Sequence, residues 1–311
     1  MNINDCIVKL AYAVRDAVRP HLGTAQAKKS AGRTESGDEE FAIDEIAERA
    51  IEEFIDAHRL PVAYYSEGRG LVQSPNPQYL LIIDPIDGTR PAMVGLEGGV
   101  VSIAAAPYSL DACLRDVTFG CVLELKYDRL YTAEKGGTVR FMDQGIERHP
   151  RLTTITDLDH ISWSFELAGR PVERVTRALG SLIDRSSIRG GVFVITGTAF
   201  SLTRLVSGQF DAVVDVGIRV LRDYPELLEE FNTAGLGAPL GAFPYDIAAA
   251  VLIAETAGCV VTDAYGNSLG PTPLLDTSAS NISSVVAASN AELHSKLLAE
   301  IDRSIRGMRL P

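Results

Sequence analysis

The decapeptide Leu80-Leu81-Ile82-Ile83-Asp84-Pro85-Ile86-Asp87-Gly88-Thr89 constrains this chain more than any other stretch. Four aliphatic residues in a row read as a strand buried on both faces, and Asp84 arrives where such a strand should end. Two carboxylates three positions apart, one at a strand end and one on the following turn, raise each other's pKa unless a cation joins them. Pro85 removes a backbone donor and fixes φ, while Gly88 lets the chain pass close to a ligand. If a helix starts at this point, the Gly88 and Thr89 amides are available to an anion. The segment has the parts to hold a divalent metal and a phosphate together. A plain strand followed by a Pro-Gly turn, with both acids solvated or capping, is the competing account for an arbitrary sequence of this kind.

At 311 residues the chain is long enough for a large core and two lobes. Hydrophobic residues make up 46% and charged ones 23%, the balance of a globular protein. Lys and Arg total 29 against 41 Asp and Glu, and the net charge of −12 argues against a surface that coats nucleic acid. It leaves a phosphate-bearing substrate open, because metals in a site reverse the local sign. Cys6, Cys113, Cys121 and Cys259 stand singly, with no zinc spacing, and are expected as free thiols of a reducing compartment. No apolar run is long enough to cross a bilayer and no signal-peptide pattern opens the chain, so a cytoplasmic location with no membrane partner is expected.

Hydrophobic periodicity lays out the elements. Ile3, Ile7, Leu10, Ala11, Val14 and Val18 predict an amphipathic helix over residues 3 to 18, ended by Pro20, and the Gly-, Ser- and charge-rich residues 23 to 40 read as a loop. The stripe Ile43, Ile46, Ala47, Ala50, Ile51, Phe54 and Ile55 predicts a second helix, with Glu45, Glu48, Glu52 and Glu53 expected on its solvated face. Asp44 lies near its first turn, where a negative charge is favourable. Val62 to Tyr65, Val100 to Ala106, Val117 to Leu123 and the Tyr131 region read as strands, and Glu67 follows the first of these. Past a crossing at His149-Pro150-Arg151, strands are expected at Ser162 to Phe165 and Ser187 to Arg189, with a helix over 171 to 183 between them. Gly197-Thr198-Ala199 opens another helix, either as a plain cap or with amides facing a ligand. In Pro244-Tyr245-Asp246-Ile247-Ala248-Ala249-Ala250 the small residues allow close helix packing, and Asp246 taken alone is an N-cap. The pattern supports alternating helices and sheets in two lobes, an α+β lobe over residues 1–150 and a second over 151–311.

The hexapeptide Asp84-Pro85-Ile86-Asp87-Gly88-Thr89 resembles the signature of the inositol monophosphatase family of lithium-sensitive, magnesium-dependent phosphatases. The phrase around Asp246 is similar to the family's Trp-Asp-x-Ala-Ala, with Tyr245 in place of the Trp. The resemblance implies a layered α/β/α/β/α sandwich of the sugar-phosphatase type, commonly a homodimer. It implies that Glu67, Asp84, the Ile86 carbonyl, Asp87 and Asp246 hold two or three Mg²⁺ ions, and that Asp44 and Thr89 orient an attacking water. It implies substrate contacts from Asp87, Gly88, Thr89, Gly197, Thr198, Ala199 and Asp215. Asp215 occupies the position of a Glu that binds substrate hydroxyls in inositol phosphatases. Gly68 stands where the family has a second Glu. Asp38 matches an acid associated with an additional metal, and an insertion near 219–243 departs from the family pattern. Arg219 and Arg222 within it are candidates for a second anionic group.

The activity implied is hydrolysis of a small sugar or polyol phosphate, such as inositol monophosphate or fructose 1,6-bisphosphate, by metal-activated water, with no covalent nucleophile. Arg90, where inositol phosphatases usually have a second Thr, keeps 3′-phosphoadenosine 5′-phosphate or histidinol phosphate as an alternative substrate. A non-catalytic metal- or ligand-binding relative is the alternative from another class.

Overall fold

The computed structural model describes residues 2–33 and 39–308; Asp38 lies outside the described residues. Two β-sheets alternate with three layers of helix, and each layer follows from where the apolar side chains fall.

The first helix layer is α1 (Ile3–Val18) and α2 (Ala42–His58), packed on each other through the two stripes read from the sequence. Between them run the short antiparallel strands β1 (Ser30–Arg33) and β2 (Glu39–Phe41). The first sheet has eight strands: β3 (Val62–Ser66), β4 (Gly70–Gln73), β5 (Tyr79–Asp87), β6 (Val100–Pro107), β7 (Phe119–Glu124), β8 (Arg129–Glu134), β9 (Val139–Asp143) and β10 (Ile146–Arg148). Their order is β10-β9-β8-β7-β6-β5-β3-β4, antiparallel except for the β3–β5 pair. The one-turn helix α3 (Thr89–Met93) follows β5.

The second half contributes β11 (Ser162–Phe165), α4 (Val172–Ser186), β12 (Gly191–Val194), α5 (Thr198–Ser207), β13 (Ala212–Asp215), α6 (Gly217–Asp223), α7 (Leu228–Ala234), α8 (Pro244–Ala257), β14 (Val260–Thr262), β15 (Val285–Ala288) and α9 (Ala291–Arg306). Its sheet runs β12-β11-β13-β15-β14, parallel across β12, β11 and β13 and antiparallel from there on.

Alternation along β5 shows the layering. Leu81 and Ile83 join α1 and α2 in one core, whereas Leu80 and Ile82 join α5, α8 and the inner face of the second sheet in another. A third core lies between the outer face of the second sheet and α4 and α9. The middle layer is apolar all round because it is covered on both sides: Ile247, Ala248, Ala249, Ala250, Val251, Ile253 and Ala254 of α8 are all buried. Gly120 of β7 lets α8 come down onto the sheet, since a Cβ there would stand 2.6 Å from the Ala249 carbonyl oxygen.

Three expectations are corrected. Residues 23 to 40 are not loop throughout, since β1 and the start of β2 lie within them and pair. Ser187 to Arg189 is not a strand: the Ser187 and Gly190 amides donate to Ile183 and Ser186, finishing α4, and the strand is β12, starting at Gly191. Glu48 is not on a solvated face but 1% exposed, for a reason that concerns the site. The 219–243 insertion forms most of α6, a 3₁₀ turn and α7, anchored by the fully buried Phe231, and then returns through Leu240 toward α8.

Candidate active site

Residues three apart on a regular strand face opposite ways, so Asp84 and Asp87 should be separated by the sheet. A bulge in β5 prevents this. Asp84 pairs with Ser102 and Asp87 with Val100, so three steps on β5 match two on β6. The extra residue puts both carboxylates on the Leu80 and Ile82 face, toward α8, and turns Ile86 back into the α1/α2 core. The Ile86 amide donates to Asp84 Oδ1 at 3.0 Å, which holds the bulge and the first carboxylate together.

Asp246 arrives on the first turn of α8, where its Oδ2 accepts the Phe243 amide at 2.6 Å. It is therefore the third helical residue reaching back, not the cap itself. Carboxylate oxygens of Asp84, Asp87 and Asp246 lie within 4.8 Å of one another. Burial, followed by the charges of Glu67, Asp87, Asp246 and Asp44, pushes the Asp84 carboxyl well above the usual range. Burial also raises Asp87, to about 7, although amide hydrogen bonds, led by that of Phe200, oppose the shift. Glu67 lines the same cleft on the turn after β3. That turn explains Glu48, which accepts the Ser66 hydroxyl at 2.8 Å and the Gly68 amide at 2.9 Å. Gly68 offers no carboxylate, and a buried acid from α2 fixes the Glu67 turn through its backbone.

Thr89 opens α3 one residue past Gly88, which has φ +85°. A Cβ on Gly88 would stand 2.3 Å from the Gly98 carbonyl oxygen, so only glycine fits. The Thr89 hydroxyl lies 3.2 Å from Asp44 Oδ1 and 3.0 Å from the Ile86 carbonyl. Asp44 Oδ2 accepts the Phe41 amide at 2.9 Å, so the start of α2 fixes the acid beside the hydroxyl.

At the start of α5, for which the sequence leaves a plain cap and ligand-facing amides both open, the amides meet a protein carboxylate. The Phe200 amide donates to Asp87 Oδ2 at 2.9 Å, and those of Thr198 and Ala199 also lower the Asp87 pKa, so this helix end serves a protein carboxylate. Gly197 and Thr198 line the cleft; its amide donor at Gly197 is directed to Glu166. Asp215 is not among the lining residues. It is 2% exposed, and its carboxylate accepts the Arg170 guanidinium and the Gly217 amide. Arg170 and Glu166 line the cleft instead. Neither was singled out from the sequence; Glu166 follows the strand Ser162–Phe165, whose two serines break the apolar run that draws attention to Asp84. Arg219 turns inward to Asp302 and the Ala264 carbonyl, and Arg222 donates to the Ile282 carbonyl; neither lines the cleft. Leu240, Gly241 and Phe243 do, so the tail of the insertion forms one wall.

The family model described as the inositol monophosphatase family matches residues 2–306. A fructose-1,6-bisphosphatase/inositol-1-monophosphatase of Methanothermobacter thermautotrophicus is 28% identical over 302 residues, 95% of each chain. A protein of the same name from Thermococcus kodakarensis is 24% identical over 96% of each. Among solved structures, the extragenic suppressor protein suhB of Bartonella henselae superposes with a TM-score of 0.71 at 19% identity, covering 98% of both chains. An inositol monophosphatase of Thermotoga maritima gives 0.68 at 20%, covering 98% of this chain and 99% of that one. These two show the shared fold.

Proposed function

The chain belongs to the inositol monophosphatase family and is a phosphoric monoester hydrolase, and from that premise we propose that it is a Mg²⁺-dependent enzyme acting on a small sugar or polyol phosphate. The observation that carries this reading is the meeting of Asp84 and Asp87 with Asp246, about 160 residues away in sequence, in one buried carboxylate cluster. All the donors are oxygens, which suits a hard divalent cation, and packing three such acids without one is electrostatically unfavourable. Glu67, Asp84, the Ile86 carbonyl, Asp87 and Asp246 would hold two or three Mg²⁺ ions.

When bound, the cations neutralise phosphate charge and lower the pKa of a coordinated water. The protein's own groups supply position. With its proton directed to Asp44, the Thr89 hydroxyl offers a lone pair to the attacking water and aligns it with the ester phosphorus. Gly88, Thr89 and Thr198 line the cleft where the phosphate oxygens would sit. Ala199 and Asp215 contribute from behind, through Asp87 and Arg170 respectively. No serine or cysteine nucleophile is needed.

The test is phosphate release with and without Mg²⁺ from inositol 1-phosphate, fructose 1,6-bisphosphate, 3′-phosphoadenosine 5′-phosphate and histidinol phosphate. Magnesium-dependent release from one of the first two is expected, with Asp87→Asn folded but inactive. Turnover that persists in the chelated enzyme or in Asp87→Asn would refute the role given to the cluster.

A further inference from the structure

We propose that Arg170 binds a second anionic group on the alcohol half of the substrate, so that esters carrying a carboxylate or another phosphate are preferred over neutral polyol phosphates. This rests on the phosphomonoesterase reading above and narrows its substrate class.

The argument starts from a reversal of charge. The resemblance puts a hydroxyl-binding carboxylate at position 215, but Asp215 accepts Arg170 Nε at Oδ1 (3.2 Å) and Arg170 Nη2 at Oδ2, and Oδ1 also takes the Gly217 amide at 3.0 Å. Those oxygens are engaged behind the cleft wall, where Arg170, beside Glu166, is a lining residue and Asp215 is not. Arg170 Nη1 donates to the Ala168 carbonyl. Three of the five guanidinium N–H groups are thereby directed into the protein, leaving one each on Nη1 and Nη2. Arg170 is only 6% exposed, and it lines this cleft.

The arrangement is rigid. The Arg170 stem lies over Gly217, where a Cβ would stand 2.9 Å from Arg170 Cγ, and Leu240 of the insertion covers the neighbouring Gly169. Burial disfavours the Arg170 charge, but Asp215 and Glu166 outweigh it, so the group stays protonated. A guanidinium donates and never accepts. Carboxylate or phosphate oxygens match its two remaining N–H groups as charge-assisted acceptors, which a polyol hydroxyl does only weakly.

Glycerol 2-phosphate and 2-phosphoglycerate differ by a carboxylate in place of one hydroxymethyl group and isolate the effect. The ratio of their kcat/KM values, and the binding ratio of their non-hydrolysable phosphonate analogues by calorimetry, are compared in the Mg²⁺-loaded wild type, Arg170→Met and Gly217→Ala. The last keeps the charge but displaces the stem, and guards against misfolding of the first. The wild type should favour the carboxylate-bearing member, and each variant should reduce that preference, by about 10- to 100-fold for Arg170→Met, as expected for loss of a hydrogen bond to a charged group. A binding preference that is absent, or that survives both variants, overturns the assignment. Phosphate release is scored separately: its absence counts against the hydrolase substrate class proposed above, while the binding ratio decides the role of Arg170.

Discussion

Gly120→Ala adds one methyl group in β7, about as small a change as a side chain allows, yet it should damage both the fold and the metal site. The new Cβ would stand 2.6 Å from the Ala249 carbonyl oxygen and 3.2 Å from its Cα, whereas ordinary contact begins at 3.4 Å. Both neighbours are backbone, so no side-chain rotation relieves the clash, and α8 must rise by about 0.8 Å along that line. Overpacking of this kind costs about 1–3 kcal/mol, which in a protein of this size lowers Tm by roughly 1.5–5 °C. The displacement also exceeds the ~0.2 Å tolerance of metal–ligand distances. Ala249 lies one turn from Asp246 on the same helix, so the Mg²⁺ concentration for half-maximal activity should rise by about tenfold or more. Gly180→Ala is the control: it lies inside α4 with nothing within 4 Å of its new Cβ, and should stabilise by about 0.5–1 kcal/mol through helix propensity alone. Calorimetry and a Mg²⁺ titration read both variants. A Gly120→Ala protein with unchanged Tm and unchanged Mg²⁺ requirement would refute the claim that backbone contact at this glycine sets the position of Asp246.

Two further outcomes follow from the site. In chelated protein, Asp87 keeps its proton up to about pH 7, whereas in the unfolded chain it loses it near the ordinary value of about 4. The native state binds more protons across that window, so the Asp87 contribution to stability falls as pH rises from ~4 to ~7. Excess Mg²⁺ should reduce the slope, and Asp87→Asn should reduce it in EDTA, with Asp84 still contributing; a chelated wild type with the same pH dependence of Tm as Asp87→Asn would contradict this. Glu48→Ala should cost roughly 2 kcal/mol by stranding the Ser66 hydroxyl and Gly68 amide and should weaken Mg²⁺ binding through Glu67. The exposed Glu53→Ala should change stability by less than about 0.5 kcal/mol. Denaturant melts separate the two, and equal effects would return Glu48 to the solvated face.

What the sequence made legible is what local chemistry controls. The stripes of α1 and α2 burn a helical period into the chain, the continuous apolar run of β5 and the small-residue run of α8 mark elements covered on both sides, and the elements appear where these patterns place them. The acids were visible by the same logic, because a charge at the end of a buried run demands a partner. Their relation was not. Strand periodicity assigns Asp84 and Asp87 to opposite faces, and only the bulge against Ser102 and Val100, a property of the pairing and not of β5 itself, brings them together. Glu48 was misread for a similar reason: a helical wheel records which side of α2 faces the core but not that a distant turn at Ser66–Gly68 needs an acceptor at that spot. Asp215 shows the limit of reasoning from a matched position. A carboxylate can occupy the expected place and still be turned to different use, because its partner, Arg170, comes from a loop 45 residues earlier whose approach depends on Gly217 having no side chain. Motif reading therefore locates the acids of this cleft, while the sign of charge the cleft presents to the alcohol half of a substrate is decided by contacts between segments that no single motif contains.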